Sequence, residues 1–162
     1  MGLHLEKTLV IIKPDAMQRN LFGEIITRFE KKGLRIVGLK MIELEDILLD
    51  EHYSHHKDKP FFGGLKNYMK SSPVMVMVLE GIEVISAVRL LVGPTKGRSA
   101  DAGSIRGDFS MSGSTNLVHA SDSVEAAESE IKRFFKDDEL FSYRKVDFEF
   151  LYGEDEREEA SE

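Results

Sequence analysis

Apolar residues along the chain fall into blocks of two different rhythms, and the rhythm of each block predicts an element. Thr8-Leu-Val-Ile-Ile-Lys13 is a nearly continuous apolar run stopped by Pro14, which has no N–H to give a ladder, so it reads as a buried strand. Leu21, Ile25 and Phe29 then recur every fourth residue, with Glu24 in the first turn and Gly33 where a left-handed cap belongs, which predicts a helix. Leu34 to Ile42 reads as a second strand, interrupted by Gly38 as a bulge or a close backbone approach would interrupt it. Weaker helical patterns at Glu45 to His52 and Phe61 to Met69, separated by the charged His55-His56-Lys57-Asp58-Lys59-Pro60, predict an excursion from the sheet. Val74 to Leu79 is apolar throughout and fits a central strand covered on both faces, and Ile85, Val88 and Val92 predict a helix that closes before Gly93. Asn116 to His119 makes a very short last strand. Behind it, Asp122 and Glu125 have capping-box spacing, and Val124, Ala127, Ile131, Phe134 and Phe135 line the apolar face of a final long helix. This order suggests a parallel α/β sheet by default and fits a split βαβ sandwich equally well, and periodicity does not choose between them.

The stretch from Gly93 to Thr115 is rich in Gly, Ser, Thr and Asp, and a loop of that length in a compact domain is uncommon unless it serves a ligand. Composition narrows the class further. The 162 residues, 41% of them hydrophobic and 31% charged, suit one domain with its own core. No cysteine is present, so disulfide stapling and thiolate metal sites are excluded. Net charge is −7, but residues 154–162 hold six acids and one arginine, so the tail alone carries −5 and the body −2. We expect residues 1–153 to form the domain and residues 154–162 an acidic, disordered tail. A near-neutral body argues against a nonspecific nucleic-acid surface. The start, Met-Gly-Leu-His-Leu-Glu, lacks the parts of a secretion signal, and no apolar run reaches the ~18 residues of a membrane span, so a cytoplasmic protein is expected.

His119 is the residue to explain. It ends an apolar stretch with a helix-start signal directly behind it, and an imidazole partly neutral at cell pH can attack an electrophile when its other nitrogen is held by a partner. Alone, it reads more simply as a strand-end histidine. On the last helix Glu130 borders the apolar stripe and could hold that second nitrogen, while Glu125 and Glu128 on the same helix remain alternatives. His4, His52, His55 and His56 have no ligand-like spacing, so no protein metal site is expected.

Fragments in one order carry a more specific signal: Lys13-Pro-Asp15, His52-Tyr53, Lys59-Pro-Phe61-Phe62, Gly93-Pro-Thr95, Ile105-Arg106-Gly-Asp-Phe109 and Asn116-Leu-Val-His119-Ala-Ser-Asp-Ser123. From about Glu6 to Tyr152 the chain resembles a nucleoside diphosphate kinase. The resemblance implies an α+β ferredoxin-like sandwich with a four-stranded antiparallel sheet, a homohexamer, and ping-pong transfer of the terminal phosphoryl group of a nucleoside triphosphate, mainly ATP, to nucleoside diphosphates. By the same resemblance His119 is the nucleophile and Glu130 its partner, while Lys13, Arg89, Thr95 and Arg106 converge on the phosphates. Asn116, with Lys13, meets the sugar 3′-hydroxyl, Phe61 stacks on the base, and Tyr53 and Ser121 lie near the transferred phosphate. Mg²⁺ is expected to arrive on the nucleotide phosphates, with Asp122 holding one of its waters, since the chain offers no carboxylate cage.

Some positions depart from the family pattern. Lys96-Gly97 and Asp101-Ala-Gly103 stand where relatives carry prolines, which predicts a softer loop and altered subunit contacts; Gly113 replaces an apolar residue beside the base. The rival reading is a non-catalytic nucleotide-binding regulatory module on the same fold, and a second rival is a single-stranded nucleic-acid binder, but neither gives His119 a use. A P-loop kinase is excluded because Gly93-Pro-Thr-Lys-Gly97 lacks the required Gly-Lys-Ser/Thr spacing.

Overall fold

The computed structural model describes residues 2–161, so Met1 of the expected domain and Glu162 of the expected tail lie outside the described residues. The strands are β1 (Leu5–Ile12), β2 (Arg35–Ile42), β3 (Val74–Ile82) and β4 (Val118–Ala120). They form one sheet in the order β2-β3-β1-β4 with every pairing antiparallel, which decides for the split βαβ sandwich over the parallel default. The register shift falls between Ile36 and Gly38, as the glycine in that strand predicted.

Alternation along β1 distributes the core. Val10 and Ile12 pack with Ile25 and Phe29 of α2 (Phe22–Lys32) and Val88 and Val92 of α5 (Val84–Val92) on one face of the sheet. Leu9 and Ile11 pack with Leu49 of α3 (Asp46–His52), Met69 of α4 (Phe62–Met69) and Phe134 of α7 (Val124–Phe134) on the other. Gly33 ends α2 at φ 97°, the left-handed cap that its position predicted. Every residue of β3 is buried, including Glu80, whose carboxylate pairs with Arg35 and Lys7.

Three features differ from the sequence reading. A short helix, α1 (Pro14–Gln18), follows β1 directly, because Pro14 occupies the first helical turn, where a missing N–H costs nothing. The cap of α7 is Ser123, whose Oγ accepts from Ala126 N–H at 3.1 Å, so the expected capping box at Asp122 is corrected by one residue. Within residues 154–162, expected to be disordered, Glu154–Glu159 form a helix; three acids occupy its first turn, where the helix dipole favours negative charge. Glu159 there accepts from Leu3 N–H at 3.1 Å.

The long loop contains a one-turn helix, α6 (Ile105–Phe109), and is pinned rather than free-standing. Arg28 reaches Asp108 at 2.7 Å, Asp108 accepts from Gly103 N–H at 2.8 Å, and Ser104 Oγ caps α6 by accepting from Gly107 N–H at 3.0 Å. A Cβ at Gly107 would fall on the Asp101 carbonyl, a backbone atom with nowhere to go. Gly107→Ala should therefore destabilise the protein by about 2–4 kcal/mol, read as a lowered urea midpoint at unchanged slope.

Candidate active site

Position 119 sits at the middle of the three-residue edge strand β4, opposite Ile11, so its side chain emerges on the sheet face covered by α3 and α7. Glu130, one face of α7, meets it there: Nε2 of His119 lies 2.8 Å from Glu130 Oε2. Nδ1 of the same ring has no hydrogen-bond partner among the described residues. Glu130 Oε1 accepts from Ser121 Oγ at 2.6 Å, and Ser121 Oγ in turn accepts from Leu9 N–H at 3.2 Å. The carboxylate is thereby fixed to both the helix and the sheet. Burial works to raise the pKa of Glu130, but the His119 bond and charge, joined by Ser121 and His52, outweigh it and hold the carboxyl below its ordinary value.

A cavity of about 640 Å³ opens in front of His119. Lys13, Tyr53, Arg89, Thr95, Arg106 and Asn116 all line it, as does Asp122. Lys13 stands just past the end of β1 and donates from Nζ to Asn116 Oδ1 at 2.8 Å. Burial first, then the Arg106 charge, pull its ammonium down to about 8, with Asp15 working against them. Asn116 is buried and donates from Nδ2 to the carbonyls of Thr95 and Gly113 at 2.9 and 3.1 Å, tying both ends of the long loop to β4. Arg106 lies across the same seam. Its Nε donates to Asn116 O at 3.1 Å, and its two terminal nitrogens to Gly93 O at 3.0 Å and Val118 O at 2.5 Å. With five N–H groups, the guanidinium keeps two for a ligand. Arg89 is exposed and makes one long bond, to Ala120 O at 3.4 Å.

Two residues stand elsewhere than expected. Ser121 is 1% exposed, bonded to Glu130, and is not part of the cavity wall. Phe61 is 53% exposed at the start of α4, with its ring 5.2 Å from that of His56, and is not part of the cavity wall.

Five other residues that shape the site, Leu117, Asp15, Tyr68, His52 and Arg133, escaped the sequence reading. Leu117 holds a left-handed backbone, φ 74°, costly for a branched residue. Asp15 supports it by accepting Leu117 N–H at 3.1 Å, while the other carboxylate oxygen accepts the Tyr68 hydroxyl. His52, read as ordinary, is 6% exposed and its ring packs edge-on against that of His119, centroids 4.8 Å apart. Burial first, then the neighbouring His119, pull His52 down to about 3. His52 Nδ1 accepts from Arg133 at 2.9 Å. The Lys13-Pro-Asp15 and His52-Tyr53 fragments contained two of the signals, Asp15 and His52, but no spacing rule gave them these roles.

The donor set suits a magnesium ion that brings its own oxygens. Asp122 is an exposed carboxylate on the cavity wall, and Mg²⁺ held by nucleotide phosphates needs little more from the protein.

Comparison with known proteins places this geometry in a family. The family model described as nucleoside diphosphate kinase matches residues 6–140. The nucleoside diphosphate kinase of Parabacteroides distasonis is 57% identical over 152 residues, covering 94% of this chain and 99% of that one. That of Pyrococcus abyssi is 53% identical over 145 residues, covering 88% and 91%. Among solved structures, a halophilic nucleoside diphosphate kinase from Halobacterium salinarum, in complex with CDP, superposes with a TM-score of 0.90 at 44% identity, covering 93% of this chain and 100% of that one.

Proposed function

Because the chain belongs to the nucleoside diphosphate kinase family, we infer that it is a phosphotransferase moving the terminal phosphoryl group of a nucleoside triphosphate, mainly ATP, to nucleoside diphosphates through a phosphohistidine at His119. The observation that carries the reading is the pairing of His119 Nε2 with Glu130 at 2.8 Å, which leaves Nδ1 as the free nucleophile in a cavity lined by four cationic side chains, Lys13, Arg89, Arg106 and Arg133. The carboxylate fixes the tautomer: the proton stays on Nε2, and the lone pair stays on Nδ1.

In the first half-reaction Nδ1 attacks the terminal phosphorus, the bond to the bridging oxygen breaks, and the nucleoside diphosphate leaves. The second half-reaction runs the same path backwards with another base. The transition state is loose, so positioning and cations around the phosphate oxygens supply most of the acceleration. Arg89, Arg106 and Thr95 take the phosphates, Asn116 with Lys13 takes the sugar 3′-hydroxyl, and Tyr53 flanks the transferred group. Phe61 at the rim offers a ring face that any base can stack on. Ser121 acts through Glu130 as a positioning residue. Mg²⁺ arriving on the nucleotide would supply charge neutralisation at the phosphates, and Asp122 on the cavity wall would hold it through a water. Family membership also supports a homohexamer, a catalytic domain spanning 1–153 and a cytoplasmic location; no described helix is long and apolar enough to cross a membrane.

The experiment is exchange: the protein mixed with ATP, GDP and Mg²⁺ should produce GTP and ADP in equal amounts, whereas tight nucleotide binding with no GTP formed would leave only the regulatory-module reading.

Lys13 gives this reading a pH signature. Its ammonium, held near pKa 8 in the free protein, must be charged to meet an anionic nucleotide. Above that pH the nucleotide Kd should rise by about tenfold per pH unit, and Lys13→Arg should abolish the rise, since a guanidinium stays charged. The stability of the free protein moves the opposite way. Between pH 8 and the ordinary lysine value of 10.5 the unfolded chain binds more protons than the folded one, so this group adds stability as pH rises. Calorimetric titrations at several pH values check the first effect and urea melts the second.

A further inference from the structure

We propose that the Nε2 side of His119 is an inhibitory site for a zinc-class transition-metal dication, bound by His119 Nε2, Glu130 Oε2 and His52 Nδ1. These residues stand on β4, α7 and α3, three elements fixed by the core, and one donor atom from each lies within 4.8 Å of the other two. His119 Nε2 and His52 Nδ1 stand 2.8 and 3.7 Å from Glu130 Oε2. Tetrahedral zinc with bonds near 2.0–2.1 Å sets its donors about 3.3 Å apart, so the cluster reaches coordination geometry with small side-chain shifts. The fourth position faces the cavity and takes water.

His52 carries the argument. Arg133 can only donate, so its bond to His52 Nδ1 at 2.9 Å means that this nitrogen holds a lone pair and Nε2 the ring proton. That Nε2 is buried without a partner among the described residues. A lone pair and a carboxylate oxygen 3.7 Å apart repel unless a cation lies beside them, and Arg133 is that cation here. A metal would replace it. Arg133 has other seats to withdraw to, with Nε 3.4 Å from Glu51 and a terminal nitrogen 3.4 Å from Ser129 Oγ. Two imidazoles and one carboxylate favour zinc-class ions over Mg²⁺, so magnesium in excess leaves the metal in place.

The inhibition rests on the phosphohistidine reading and follows from the tautomer. A metal bond to Nε2 breaks its N–H bond, and the proton moves to Nδ1. No electron is transferred, but the lone pair that attacks phosphorus is gone.

Cobalt(II) tests the site directly, because its absorption bands become intense in tetrahedral coordination. Titration of the full chain without nucleotide should give such bands, saturating at one Co²⁺ per chain and bleached by Zn²⁺. His52→Asn, checked for folding by circular dichroism, should lose them, and Arg133→Ala should tighten cobalt binding about tenfold by removing the competing charge. Zn²⁺ should inhibit ATP-to-GDP exchange at the concentration that bleaches the cobalt bands. Absence of the bands, or bands unchanged in His52→Asn, overturns the site. Should His52→Asn not fold, Arg133→Ala decides alone, and equal or weaker cobalt binding there overturns the proposal. A wild-type chain with cobalt bands but no exchange activity would strike the kinase reading and leave the metal site standing.

Discussion

His119→Ala should lose nucleotide exchange by about 10⁴-fold or more while melting within a few degrees of the parent. The two halves of that expectation come from different parts of the structure. The ring is the group that bonds covalently to the phosphoryl, and His52 does not replace it, being buried with its Nδ1 bonded to Arg133. The fold loses little, because the His119 side chain is 23% exposed and its sheet pairing is made by backbone alone. Glu130 keeps its second anchor in Ser121, 2.6 Å away. Coupled assays of GTP formation and thermal melts on the same preparation check both halves. A variant with a melt like the parent and exchange within tenfold of it would remove His119 from the mechanism.

Arg106→Lys should damage both properties together. Arg106 spans three carbonyls, those of Gly93, Asn116 and Val118, and so joins the end of α5, the loop and β4. Burial first and Arg89 second pull its pKa to about 10, yet it stays charged at neutral pH and each bond is charge-assisted. A lysine ammonium offers a point charge where a planar fork is required, and two of the three bonds would be lost. The expected cost is about 2–4 kcal/mol of stability and about 10²–10³-fold in kcat/KM. Arg89→Lys is the control. That residue is exposed and holds one bond of 3.4 Å, so its replacement should lower kcat/KM with little change in melting temperature. If both variants melt like the parent, the three carbonyl bonds of Arg106 do not hold the site together.

The sequence made some of this visible and hid the rest for physical reasons. Hydrophobic rhythm located β3, whose residues are covered on both faces, and α2 with its Gly33 cap, because burial and cap geometry act within a few residues. Strand direction was hidden, since a period of two is the same in parallel and antiparallel ladders; the resemblance, not the rhythm, supplied it. The start of β1 at Leu5, earlier than the apolar run, was hidden for another reason. Leu5 to Lys7 are held by pairing with Gly81, Ile82 and Glu80, which are distant in sequence. In the site, motif order named the residues that reach the cavity, but their division of labour depends on contacts made in three dimensions. Ser121 differs from a phosphate contact only through where Leu9 N–H and Glu130 lie. Asp15 matters because Leu117, 102 positions away, is held at positive φ. Gly97, a departure from the proline of relatives, sits where a Cβ would press on Ser110, so close approach of two loop segments explains the glycine better than softness does.

The most direct measurement is of the covalent intermediate. The protein, incubated with ATP labelled in its terminal phosphoryl group and quenched in base, should carry one label per chain that survives alkali, is lost in acid, and passes to GDP on chase. The label should map to His119 and be absent from His119→Ala. A label that persists in that variant, or rapid exchange with no labelled protein at any time, would contradict transfer through the imidazole.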